Sequence, residues 1–178
     1  MPYLRPRFRA TFLPAAAAAL IVSGHAAAQP ENSVSGTLPA TEQSPFLGEW
    51  ELDLTRMPDT YGPPPKRVTY TFKDVGSGQW LTEVDITARD DSVRHVAIQY
   101  RRDGRAVQGQ GDVADGESAA VHAPAPNVLV MSLARNKGLE SVRAYVISAD
   151  GKEMTEAAAD VNEAGMPFVR NFYFKRLR

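Results

Sequence analysis

Three histidines, a scatter of acidic residues and two tryptophans are the side chains of this 178-residue sequence best suited to chemistry or ligand contact. His25 falls in an apolar N-terminal stretch, which leaves His95 and His122. A zinc site needs three or four convergent ligands, and no His-rich or His/acid spacing surrounds either residue. Each could at most be the single axial ligand of a haem, and a solvated or hydrogen-bonded imidazole is the favoured reading. Asp90, Asp91, Asp112, Asp115 and Glu117 fall in segments that read as turns, where carboxylates hold backbone N–H groups. Calcium binding or acid–base work is their other use, but no twelve-residue EF-hand loop is present. Gly109-Gln110-Gly111 lacks the strand–loop–helix setting of a phosphate loop, and no serine sits in a nucleophile elbow. The absence of cysteine removes thiolate chemistry, disulfides and lipid attachment through a cysteine. No catalytic residue, metal or cofactor is therefore expected, and the chemistry on offer is recognition by aromatic and aliphatic surfaces.

Those surfaces need a scaffold, and the sequence offers short strands. Apolar and polar residues alternate over 46–54, 67–73, 79–88, Val93–Arg101, 140–148, 152–160 and 167–177, with weaker segments at 106–108 and 118–122. That period of two marks half-buried strands. The segment 128–133 is apolar on both faces. Turn residues separate the segments, among them Gly76-Ser77-Gly78, Asp103-Gly104 and Asp150-Gly151, which supply the backbone conformations that hairpins need. The alanines of 154–160 favour helix by propensity, but a hairpin turn on each side argues for a strand. Nine or ten strands paired in chain order must close or leave two bare edges, and closure removes the edges. The expectation is an all-β, antiparallel up-and-down barrel of about 8–10 strands, spanning 46–178.

The chain ahead of the barrel reads as an address. Arg5, Arg7 and Arg9, the apolar run after them and Ala26-Ala27-Ala28 form a signal peptide over 1–28. About 11 apolar residues are too few to cross a bilayer core that needs about 20. Residues 29–45 are polar and proline-bearing and read as a disordered leader. Loss of the signal leaves 17 basic against 21 acidic residues, a formal charge of −4. Nucleic-acid binders carry a basic patch, so none is expected as partner. The product is expected to be exported, periplasmic or secreted, and not embedded in the membrane. The sequence leaves the oligomeric state open.

Several motifs together carry a family likeness. Gly48-Glu49-Trp50-Glu51-Leu52 opens the strands, and Gly62-Pro63-Pro64-Pro65-Lys66 leads into Val68-Thr69-Tyr70. Tyr100 is followed by Asp103-Gly104, Ser148-Ala149-Asp150-Gly151-Lys152 precedes Met154-Thr155, and Asn171-Phe172-Tyr173-Phe174-Lys175 lies in the last strand. With these the chain resembles the exported bacterial lipocalin-like domain proteins, a group within the calycin-type barrels that shares no catalytic motif. The resemblance implies a barrel and an exported location. It also implies that an arginine of the last strand packs across the tryptophan of the first. Gly48, Trp50 and either Arg170 or Arg176 are thereby the residues expected to close one barrel end.

Two functional readings follow. In the first, the barrel binds a small hydrophobic or amphiphilic ligand without catalysis, gripped by Tyr70, Phe72, Trp80, Ile98 and Phe172. Trp80 reads first as ordinary core and otherwise as ligand wall. The proline-rich connection 55–66, with Tyr61 at its middle, is then either a rigid cover or a lid on the ligand's path. In the second reading the protein is a structural or interaction module of the cell envelope, its interior filled by its own side chains. Interior volume separates them: ligand pockets run to about 300–1,000 Å³, and with a cavity below a few hundred Å³ the reading of a binder for ligands of ordinary size fails.

Overall fold

The computed structural model describes residues 43–113, 118–136 and 138–177 of the chain. The expected signal peptide, residues 29–42 of the leader, Asp115 and Glu117 lie outside the described residues. Among the described residues, eleven strands form one sheet. They are β1 (Gly48–Leu52), β2 (Arg67–Gly76), β3 (Gln79–Thr87), β4 (Val93–Arg101), β5 (Asp103–Gln108), β6 (Gln110–Gly111), β7 (Ser118–Ala125), β8 (Val128–Arg135), β9 (Gly138–Ile147), β10 (Glu153–Val161) and β11 (Pro167–Arg176). The alanine-rich stretch is the strand β10. Its backbone bonds run to β9 on one side and β11 on the other, and these ladders override helix propensity. No helix among the described residues is long and apolar enough to cross a membrane.

The strands pair antiparallel in chain order from β1 to β4 and again from β7 to β11, and β11 pairs with β1. First and last strands thus join, and the sheet curls into a nearly closed barrel. Chain-order pairing fails in one place. β5 leaves β4 through a tight turn but pairs with β7, and the two-residue β6, unmarked by any alternation in the sequence, pairs with β4. A seam therefore runs between β4 and β5. Gly111 lets β6 lie close to β4: its φ is +84°, and a Cβ there would come within 2.3 Å of the His95 carbonyl oxygen. The next residue fixes the contact, since Asp112 donates its N–H to that oxygen at 2.7 Å and its carboxylate accepts the His95 N–H at 3.0 Å.

The connection between β1 and β2 has its own task. β1 stops at Leu52, so the upper half of β11 lacks a neighbouring strand on that side. Two 3₁₀ turns, Leu54–Arg56 and Asp59–Tyr61, take its place. Asp53 donates its N–H to the Tyr173 carbonyl at 2.7 Å, and the Tyr61 hydroxyl accepts the Asn171 N–H at 3.0 Å. The Tyr61 ring packs on Phe172 with centroids 5.5 Å apart. Asp53 caps the first turn, accepting from Thr55, and pairs with Lys175 at 2.7 Å. These hydrogen bonds, that from Lys175 foremost, hold its carboxyl down at about 2.

One end of the barrel is solid. Phe46, Trp50, Phe72, Leu129, Ile147, Met154 and Phe174 are all buried there or next to it, with Phe46 edge-on to Phe72 at 5.8 Å. Gly48 takes φ 122°, a conformation left to glycine, where the chain turns from Phe46 into β1. The Trp50 indole N–H donates to the Phe46 carbonyl at 2.8 Å, so the largest side chain of the plug is also satisfied.

Candidate functional site

Above that plug the inward positions change character. On β9 the inward series is Ser141, Arg143, Tyr145 and Ile147, and on β10 it includes Met154 and Glu156. Two charged residues therefore point into a barrel of aromatics. Glu156 is 2% exposed, and Arg143 Nη1 pairs with its Oε1 at 3.2 Å. The same Nη1 donates to the Tyr70 hydroxyl at 3.3 Å. The Tyr145 ring stands 6.0 Å from that of Tyr70. Burial pushes the Glu156 carboxyl above its ordinary value, although Arg143 and the Tyr70 hydroxyl both oppose the shift. Burial likewise pushes both tyrosine hydroxyls up, with the Glu156 charge adding to it. The cluster is a buried ion pair, a class whose desolvation cost rivals its attraction.

Tyr70, Arg143 and Tyr145 of the cluster border a partly open cavity of about 90 Å³. Tyr70, Arg143, Tyr145, Thr82 and Ser118 give it polar atoms, and Thr82 is held by a 2.8 Å hydrogen bond to the Tyr100 hydroxyl. The rest of the lining is aliphatic, led by Val84, Ile86, Val96, Ile98, Met131 and Leu133. Gly109 and Val113 of the seam also reach it. Ile86 is shared with a second, open cleft of about 400 Å³ under Met57 and Pro63-Pro64-Pro65. The interior thus has an apolar body with a few polar groups from β2, β3, β7 and β9, and a neighbour cleft beneath the proline-rich connection.

The residues singled out from sequence fall in four places. Tyr70 and Ile98 line the cavity. Phe72 does not: it lies one inward position nearer the plug, packed against Phe46, Tyr70 and Tyr145. Trp80 is also away from it, because β3 enters at the plugged end. It is core at that end, 1% exposed; the Arg102 guanidinium carbon lies 4.1 Å from its ring centroid where it borders an open groove, and its Nε1 has no hydrogen-bond partner among the described residues. Phe172 borders the cleft below the proline connection. Of the two arginines, Arg176 covers Trp50 at 4.1 Å. Arg170 lies further up β11 and stands over Tyr61 and Phe168 at 5.1 and 5.0 Å.

Neither described histidine lines the cavity. His95 is on the outer wall, its Nδ1 2.7 Å from Asp85 across the β3–β4 ladder, and this bond raises its pKa. His122 is exposed on β7. Asp90 accepts from Ser92 within its turn, and Asp91 pairs with Lys66 at 2.5 Å. Arg143 and Glu156 escaped the sequence reading, although the signal was there. Each shares strand parity with buried neighbours, Arg143 with Tyr145 and Ile147, and Glu156 with Met154.

No protein-family model matches the chain, and no curated protein sequence matches it. Among solved structures it is similar to a mutant of the fluorescent protein UnaG, with a TM-score of 0.53 and 10% sequence identity. That likeness covers 75% of this chain and 97% of the other. At such identity it speaks to fold alone: the chain folds as a nearly closed antiparallel β-barrel.

Proposed function

We propose that the protein is an exported, non-catalytic binding barrel that takes one small amphiphilic molecule into its interior. The observation that carries this reading is the interior cavity, mostly aliphatic, into which Tyr70, Thr82, Ser118, Arg143 and Tyr145 bring a few polar atoms. Pockets that combine an apolar body with a few convergent polar groups are the usual form of a small-molecule site. The size of the guest follows from the volume. An apolar cavity of about 150 Å³ holds benzene, so about 90 Å³ suits a guest of a few heavy atoms, or the head of a longer molecule whose tail leaves past Ile86. Glu156 sits behind Arg143 and balances its charge, which favours a neutral head group able to accept a hydrogen bond, such as a carbonyl or hydroxyl. The test is mass spectrometry of small molecules released from the purified protein, followed by rebinding of what is found. Recovery of a compact neutral amphiphile in near one-to-one ratio supports the proposal.

The second reading, a structural or interaction module, draws support from one number. About 90 Å³ falls below the ~300 Å³ lower bound of ordinary ligand pockets. It is the reading that stands if the released fraction is empty and no small amphiphile rebinds.

A further inference from the structure

The buried ion pair is asymmetric about the cavity. Arg143 borders the cavity, where it is the one charged side chain among the described lining residues, and Glu156 does not reach it. Their side chains are 24% and 3% exposed. Across the β9 ladder Glu156 faces Tyr145, across the β11 ladder it faces Phe172, and from β2 it meets the Tyr70 hydroxyl. On its own strand the neighbouring positions of the same parity are Met154 and Ala158. Two arginines share the parity of Phe172 on β11, but Arg170 stands over Tyr61 and Phe168, and Arg176 lies at the plugged end over Trp50. Arg143 is therefore the cation that balances Glu156.

With Glu156 ionised the pair is neutral, and the cavity suits a neutral head group. One proton changes that. A protonated carboxyl still accepts from the guanidinium through its carbonyl oxygen, but the positive charge of Arg143 then faces the cavity without a counter-charge. A guanidinium does not shed its proton, so only an anion can neutralise it. We infer that the cavity also takes a small molecule with a singly negative acid head, a carboxylate or sulfonate, and that each such guest enters together with one proton, which resides on Glu156. The inference rests on the cavity being a binding site and sorts its guests by charge: acid heads are held only where Glu156 can be protonated. The planar fork of arginine suits such a head, because it can hold two oxygens at once. Burial already favours the protonated carboxyl, and a second negative charge beside Arg143 favours it further. The coupling is reciprocal, so protonation of Glu156 tightens binding of the anion by the same factor. Anion and proton together bring no net charge into the interior, which avoids the cost of an unpaired buried ion.

Methanesulfonate and dimethyl sulfone test this, since they are nearly alike in shape and the first is charged at every pH used while the second is neutral. Calorimetric titration of the purified protein with each, from pH 4 to pH 8 and in buffers of different ionisation enthalpy, counts the protons taken up. Dimethyl sulfone is expected to bind with no proton uptake. Methanesulfonate is expected to bring close to one proton wherever Glu156 is ionised in the free protein, its affinity falling about tenfold per pH unit there. In the unmutated protein the ¹³C carboxyl shift of Glu156 should move to its protonated value as the sulfonate binds. In Glu156→Gln, sulfonate binding should lose its pH dependence. Binding of the sulfone without the sulfonate, or of the sulfonate without a proton, overturns the inference and leaves the binding reading in place. A pH slope that survives in Glu156→Gln overturns it too, because the proton then goes elsewhere. Failure of both probes at every pH removes the binding reading and the inference together.

Discussion

The guanidinium carbon of Arg176 lies 4.1 Å from the centroid of the Trp50 ring, and the two residues face each other directly in the β1–β11 register. The arginine also donates from Nη1 to the Leu47 carbonyl at 2.7 Å, from Nη2 to the Pro45 carbonyl, and from Nε to the Gly151 carbonyl at 2.7 Å. One side chain therefore ties the entering chain, the first strand, the β9–β10 turn and the last strand. The barrel is stapled shut at the end that the aromatic plug fills.

Arg176→Ala is expected to lower stability by about 3 kcal/mol, because charge-assisted hydrogen bonds and a stacked cation are lost together. Arg176→Lys keeps the charge but cannot serve three carbonyls in a plane, and should recover no more than about half. Urea denaturation of the three proteins measures both. Equal stability of the lysine variant and the parent would show that charge alone matters there.

Glu156 and Asp53 should give opposite pH signatures. The folded-state pKa of Glu156 is raised, so its contribution to stability is fully present below the unfolded value and is lost as pH rises through the raised one. Asp53 is depressed from 3.8 to about 2. Its contribution is present above 3.8 and is lost as pH falls towards about 2. The groups facing Glu156 are Arg143, Tyr70 and Tyr145, none of which titrates in that range. Subtracting the Glu156→Gln stability profile from that of the parent should therefore leave a curve that falls with rising pH above the ordinary carboxylate range. A flat difference contradicts the assignment. The same subtraction with Asp53→Asn should fall only on acidification.

Removing one partner of the buried pair should be severe. Arg143→Met leaves Glu156 with its charge unopposed by its nearest cation, at a cost of about 3–5 kcal/mol near neutral pH. The loss should shrink in acid, where the carboxyl is protonated. Thermal melts at pH 7 and pH 4 would expose that difference, and an equal loss at both values would rule out the electrostatic cause.

Gly111→Ala should loosen the seam without unfolding the barrel. A methyl group cannot occupy the 2.3 Å gap to the His95 carbonyl, and alanine at positive φ adds strain of about 1–3 kcal/mol. Hydrogen exchange should show early loss of protection at Asp112 N–H, with the amides of β9 and β10 unchanged. Retained protection at Asp112 would mean that β6 tolerates a side chain.

Much of the architecture was legible because strand pairing imposes a period of two on the sequence. Val93–Arg101 has the same bounds in both readings, and even the alanine-rich β10 was readable from the turns beside it. The seam was not, since β6 is only Gln110–Gly111 and no pattern survives in two residues. Depth along the barrel was equally hidden. Alternation says that Tyr70, Phe72 and Trp80 face inward, but only the register and the entry point of each strand decide whether a residue meets plug or cavity. Arg143 and Glu156 were missed because a charged residue on an inward parity looks, in sequence, like a break in the pattern. The proline-rich connection reads in sequence as a rigid cover or a lid across one barrel end. What it covers, the β11 edge left open by the short β1, depends on where β1 stops.

The central claim is that the interior of this barrel is a binding site. Its most direct test is a titration of ¹³C-methyl-labelled methionine protein with short-chain ketones and alcohols, followed at Met131, beside the same titration of an Ala119→Phe variant that fills the cavity. Saturable shifts of Met131 in the parent, with Met57 and Met166 unmoved and all shifts abolished in the filled variant, are the predicted result. No saturation up to the solubility limit, or the same shifts in the filled variant, would contradict the account.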